Sequence, residues 1–340
     1  MQVKTLNICI LFFCFLSIIA VDISTVEELH KALAKAKPGH IISIAPGEYD
    51  FSTYEGMNKY HLDASGNETH PITIVAQDPV NPPILRGPSM VNDFILHITG
   101  DYWVIDNIKL AFGSKAIVLE NANNNVFRNV EIFSVGAGAI IIRHGSSYNL
   151  FQNCYIHNTG TINNQFGAGI SIGLPHTTYG YNKKNEHNAI EGCIFRHTTS
   201  EHILIYEYSN ENEVFNCVFY GEGINGKSNA NSLIKISGSD NYIHDNVGFR
   251  NQNANVEAAF EVEKIVEDSG DGNKFVNNVL FMDKPYGEKS TEKRLYAVDG
   301  VGAKFSVKNN KVDYGEGLIE ADTNEFYNSE LVNFLENEWK

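Results

Sequence analysis

The sequence predicts an all-β solenoid, a single-stranded parallel β-helix with short helical caps, on three observations. An asparagine-led unit recurs as NVFRNVEI from Asn125, NLFQNCYI from Asn149, NAIEGCIF from Asn188 and NEVFNCVF from Asn212, with looser copies from Asn241 and Asn273. The starts lie 24, 39, 24, 29 and 32 residues apart, which reads as a coil of about two dozen residues into which loops are inserted. Between these units run short strands of period 2: AIVLE from Ala116, AIIIR from Ala139, GISIG from Gly169, HILIY from His202, LIKIS from Leu233, AFEVE from Ala259 and LYAVD from Leu295. Finally, neither helical spacing nor the fixed leucines of a leucine-rich array occur. Strands at this interval can bury their inner faces only by stacking coil on coil. Asparagine tolerates the left-handed turn conformation and bonds locally, so the repeated asparagines are expected at a corner, in a structural role.

Taken in order, Lys4 precedes an uncharged apolar run over residues 8–19 and then Ala20. This pattern predicts a secretory signal peptide over residues 1–20, leaving residues 21–340 as one secreted β-helix domain, expected to be a monomer. Loss of Lys4 with the leader would leave 25 basic against 41 acidic side chains. So acidic a surface disfavours nucleic acid and anionic membranes as partners. Cys154, Cys193 and Cys217 share one place in the repeat and are expected to stack inside the core, not to form a disulfide framework. The sequon at Asn67 predicts a glycan. Thr25 to Glu28 reads as a capping box, with Leu29, Ala32, Leu33 and Ala36 on one face, so a helix over residues 25–36 is expected to plug the first coil. A second cap is expected over residues 328–339.

The opening TVEELHKALAKAKPGHIISIAPGEYD resembles the first coil of the polysaccharide lyase family that holds alginate lyases and chondroitinase B, within the wider pectin-lyase-like superfamily. DYWVIDNIKL from Asp101 is similar to a further superfamily segment, and residues 125–264 resemble secreted pectate-lyase-like β-helix proteins of fungi and other microbial eukaryotes. The resemblance implies a right-handed coil and activity on polysaccharide. It also implies acidic and lysine positions on an outward face, in segments like GEGIYIG, ECIDIKEG and SWVDVKG. The matching segments here are GAGISIG from Gly167, EHILIYEY from Glu201 and SLIKISG from Ser232, which keep Glu201 and Glu207 and depart at Ala168, Leu204, Tyr206, Lys235 and Ser237.

Aligning the period-2 strands gives the candidate site. If Ile117/Leu119, Ile140/Ile142, Ile170/Ile172, Ile203/Ile205, Ile234/Ile236, Phe260/Val262 and Tyr296/Val298 point inward, two outward columns follow. One is Val118, Ile141, Ser171, Leu204, Lys235, Glu261 and Ala297, and the other Glu120, Arg143, Gly173, Tyr206, Ser237, Glu263 and Asp299. Coils spaced ~4.8 Å apart put Arg143 and Lys235 three steps apart, roughly 14 Å, a groove the length of a few sugars. Cleaving a uronic glycan by β-elimination requires neutralisation of the carboxylate beside the C5 proton and a base to remove that proton. Calcium on Glu207, Glu261 and Glu263 would do the first, and Lys235, Arg143, His144 or Tyr206 the second. The acidic loop with Glu267, Asp268 and Asp271 matches no EF-hand, and His176, His187, His197 and His202 have no zinc spacing. The expected function is therefore a polysaccharide lyase acting on an acidic, uronate-containing glycan. Alternatives are a non-catalytic carbohydrate-binding or wall/coat protein, with tyrosines that stack on sugars, and a uronate epimerase or a β-helix glycoside hydrolase, the hydrolase needing a facing carboxylate pair.

Overall fold

The computed structural model describes residues 19–50, 52, 60–180, 182–267, 269–282, 294–299, 303–313, 317–320 and 326–327. The expected leader over residues 1–20 lies outside these residues except for Ile19 and Ala20, which open the strand Ile19–Ile23 paired with His40–Ile44, and the expected cap over 328–339 lies outside them. Among the described residues the strands form three long sheets of eleven, ten and eleven strands. Each coil passes through the first sheet (for example Val126–Arg128), the third (Glu131–Phe133) and the second (Ile140–Arg143) before reaching the next coil, whose first-sheet strand is Leu150–Gln152. The chain is a parallel β-helix, as the repeats predict, and right-handed, as the resemblance implies. One antiparallel pair, Lys311–Asp313 with Leu318–Glu320, follows the last of the parallel strands of the third sheet.

The predicted register is the observed one. Val118 pairs with Ile141, Ile141 with Ser171, Ser171 with Leu204, Leu204 with Lys235 and Lys235 with Glu261. Their neighbours Ile117, Ile140, Ile170, Ile203, Ile234 and Phe260 are all buried. In-register parallel stacking moves each coil by one strand spacing, so like residues fall on like. Phe127 and Phe151 stack inside with ring centroids 4.7 Å apart, and Phe195 and Phe219 at 5.2 Å, adding an aromatic contribution of about 0.5–1.5 kcal/mol per pair to their area burial.

The corner asparagines form a continuous ladder. Oδ1 of Asn149 accepts both the backbone and side-chain N–H of Asn125 at 3.0 Å, and Asn188, Asn212, Asn241 and Asn273 repeat the arrangement coil after coil. The left-handed residue is not the ladder asparagine but the one before it: Asn124, Tyr148, His187, Glu211 and Asp240 all have φ between 52° and 60°. That bend aims each following Asn inward, where the ladder satisfies amides that would otherwise be buried without partners. Cys154, Cys193 and Cys217 are buried free thiols in the next corner, with the Cys154 N–H donating to Cys193 Sγ at 3.4 Å. From Cys217 onward Asn246, Asn278 and Asn310 take over that column.

The N-terminal helix is Val26–Ala34. Glu28 N–H donates to Thr25 Oγ1 while Glu28 Oε2 accepts from the Thr25 N–H, the expected capping box, a motif worth about 1 kcal/mol. Its buried Leu29 and Leu33 join the solenoid core, and His30 lies over Tyr60 with ring centroids 5.4 Å apart.

Candidate functional site

The outward face of the second sheet carries a cleft of about 460 Å³. Its lining includes the small residues Gly138, Ala168 and Ser171, with Ile141 and Leu204 on either side of Ser171 in the same column, and, as walls, the loop residues Phe166, Leu174 and Pro175. The walls come from the 39-residue coil between Asn149 and Asn188, the longest in the repeat, so the irregular spacing marks the cleft. Gly173 has φ +89°, and a β-carbon there would meet Ser209 Oγ at 2.3 Å. Only glycine lets the chain leave the sheet there to build that wall.

A third outward column, which the period-2 reading did not include, lines the same cleft. Each coil enters the second sheet through two consecutive buried residues, such as Ala116/Ile117, Ala139/Ile140, His202/Ile203 and Leu233/Ile234. Alternation slips at that bend, and the residue before the pair turns outward. Lys115, Gly138, Ala168 and Glu201 follow one another in this way, and all four line the cleft.

Lys235 is the hub of the charged end. Its Nζ lies 3.1 Å from Glu261 Oε1 and 2.5 Å from Glu263 Oε1. Ser232 Oγ donates to Glu261 and Ser237 Oγ to Glu263, each at 3.2 Å. Burial alone would lower the Lys235 pKa, but the two carboxylates raise it above the ordinary lysine value, so the resting side chain is a firm cation. Burial raises the Glu261 carboxyl, with the Lys235 charge opposing it. Glu201, buried beside Ser200, whose hydroxyl donates to it, is pushed up to about 7 by burial against the pull of that bond and of Lys235. Burial also raises the Tyr206 phenol to about 12, assisted by the Glu201 and Glu207 charges.

The other predicted residues sit elsewhere. Arg143 and His144 are outside the lining of the cleft and gather with His97 around Glu120, which lies 2.8 Å from His97 Nε2, 2.6 Å from His144 Nδ1 and 3.5 Å from Arg143. Burial would raise the Glu120 carboxyl, yet those hydrogen bonds and the Arg143 charge hold it at about 2. Glu207 is fully buried, with Oε1 3.2 Å from Nδ1 of His176 on the wall loop and Oε2 without a partner. The three carboxylates expected to hold calcium therefore do not converge: one is buried apart, and the other two share the Lys235 ammonium. Among the described residues no group of three or more His, Cys, Asp or Glu forms a metal site. These residues do not fit calcium.

The family described as Pel9A-like, right handed beta helix region, matches residues 20–267. An alginate lyase from Paenibacillus sp. str. FPU-7 is 32% identical, superposes with a TM-score of 0.82, and the match covers 91% of this chain and 98% of that one. The pectate lyase Pel9A is 18% identical with a TM-score of 0.60 over 82% of this chain and 72% of that one. A rhamnogalacturonan lyase is 13% identical with a TM-score of 0.56 over 92% and 87%. The last two are likenesses of fold. No curated protein matches this chain. With nearly three quarters of its length inside the family match, and a 32% identical relative along nearly all of it, the chain belongs to the Pel9A-like right-handed β-helix family.

Proposed function

We propose that this protein is a secreted polysaccharide lyase that cleaves a uronate-containing glycan, alginate first, by β-elimination in the second-sheet cleft. The observation that carries the reading is that one cleft holds three side chains in separated protonation states: Lys235 a cation, Glu201 near 7 and Tyr206 near 12. Groups pushed apart in this way define acid and base roles. The Lys235 ammonium, held in place by Glu261 and Glu263, turns its remaining N–H to the uronate and stabilises the charge that develops as C5 loses its proton. Glu201, ionised above about 7, takes the C5 proton, the electron pair forms the C4–C5 double bond, and Tyr206 donates its proton to the departing O4. Gly138, Ala168 and Ser171 leave room for a sugar ring between Ile141 and Leu204, whose apolar side chains can pack against its face. The 32% identical alginate lyase supports alginate over other polyuronates.

The test is a panel of alginate, polygalacturonate, chondroitin and neutral glucan, each with added calcium and with chelator, read by ultraviolet absorbance of the unsaturated product. The expected result is product from alginate, insensitive to chelator. No unsaturated product from any polyuronate, with retention of the glycan on the protein, would favour a binding protein instead.

A further inference from the structure

We propose that Lys115 is a distal anion-binding subsite of this cleft, taking the carboxylate of a uronate several sugars away from the bond that is cleaved. The inference rests on the lyase reading and adds to it a determinant of chain length and charge.

Lys115 begins the column that Glu201 continues three coils on, and both side chains line one cleft. At ~4.8 Å per coil Lys115 and Glu201 lie about 14 Å apart along the axis, and Lys235, one coil further, about 19 Å from Lys115. The floor between is uncharged. The other cations of this face have carboxylates: Lys235 has Glu261 and Glu263, and Arg143 has Glu120. Lys115 is half-buried, and among the described residues none of the ion pairs includes it. Its ammonium lies 5.6 Å from the Phe94 ring centroid, a contact worth about 0.5–1 kcal/mol. Burial, with the neighbouring Arg143 charge, lowers its pKa, so the free protein bears an uncompensated cost for holding this cation. A bound carboxylate removes that cost. In a chain of formal net charge −15, a cation outside every ion pair of the described residues, at one end of a sugar-sized cleft, gives a local field that selects an anion. Since Lys235 and Lys115 stand at opposite ends of a neutral floor, a chain must span several residues to reach both.

The experiment compares wild type, Lys115→Ala and Lys115→Arg on alginate oligomers of graded length and on carboxyl-reduced alginate, using initial rates and calorimetric binding. Lys115→Ala should raise KM about tenfold for long oligomers, the loss of one charge-assisted hydrogen bond, with kcat within twofold and with a penalty that shrinks as the oligomer shortens. Lys115→Arg should recover most of the affinity, and carboxyl-reduced polymer should not distinguish the variants. An equal penalty at every length, or none at any, overturns the subsite while leaving the lyase reading intact. Length-dependent loss of binding by a protein that makes no unsaturated product overturns the lyase reading and upholds the subsite. No binding and no turnover by wild type overturn both.

Discussion

Lys235 sits opposite Glu261 on the adjacent coil, with 3.1 Å between Nζ and Oε1 and both side chains mostly buried. Removing the cation strands two carboxylates in a place that water hardly reaches. Lys235→Ala should lower kcat at least ~100-fold and destabilise the fold by about 3–5 kcal/mol at pH 8. The stability defect should shrink toward pH 5. Glu261 already has a raised pKa, so its protonated form is favoured in the folded state, and stability is lost as pH rises through that folded value. Chemical denaturation at the two pH values checks this; a defect independent of pH would mean that the carboxylates are solvated.

Glu201 yields a prediction in which activity and stability move in opposite directions. Its folded pKa, raised from 4.5 to about 7, means that the folded state binds more protons than the unfolded one between those values, so stability falls as pH rises through that window. Glu201→Gln should therefore match wild type below pH 4.5 and be more stable at pH 8, by on the order of 3 kcal/mol. The same substitution should remove the rise in kcat/KM centred near pH 7 and lower the rate by ~100-fold or more. A wild-type profile that rises only far above pH 7 would transfer the base role to another group.

Asn188 is a middle rung of the corner ladder. Its Oδ1 accepts from the Asn149 backbone and side chain at 3.1 and 2.9 Å, and its own amide donates to Asn212 Oδ1 at 3.0 Å. Asn188→Ala leaves the buried Asn149 backbone N–H without its acceptor, while the Asn149 side-chain amide keeps the Ala122 and Ser147 carbonyls, and should cost about 2 kcal/mol. Chemical denaturation measures the loss, and a change below half that size would show that water replaces the missing amide.

Cys154, Cys193 and Cys217 should react slowly with a thiol reagent in the native state and together once denaturant is added. All three are buried, and the first two have pKa values raised well above the ordinary thiol range, Cys154 chiefly by its bond with Cys193 and Cys193 chiefly by burial. Rapid labelling of one thiol without denaturant would mean that its corner opens locally.

The strand columns were legible because two simple rules meet in them: side chains alternate along a strand, and parallel coils stack in register. The pairings from Val118 to Glu261 follow from these rules alone. The burial of Glu207 was legible too, since it is in phase with Ile203 and Ile205, yet its charge argued for an outward ligand. Lys115 was not legible as a cleft residue, and Glu201 only through the family resemblance, because parity fails at the bend where Ala116/Ile117 and His202/Ile203 both turn inward. The walls formed by Phe166, Leu174 and Pro175 are loop residues, and no periodicity locates a loop against the sheet it covers. Pairing Lys235 with Glu261 was within reach from one coil step, but the resulting rise in its pKa required knowing how little water reaches the pair.

The register also makes the distance between Lys115 and Lys235 a quantised quantity. They are separated by a whole number of coils, and loops inserted at the corners, however long, do not change that number. Lengthening the wall loop would reshape the cleft sideways without altering its span. Only the gain or loss of an entire coil could move one cation relative to the other, and then by a full rung of about 4.8 Å.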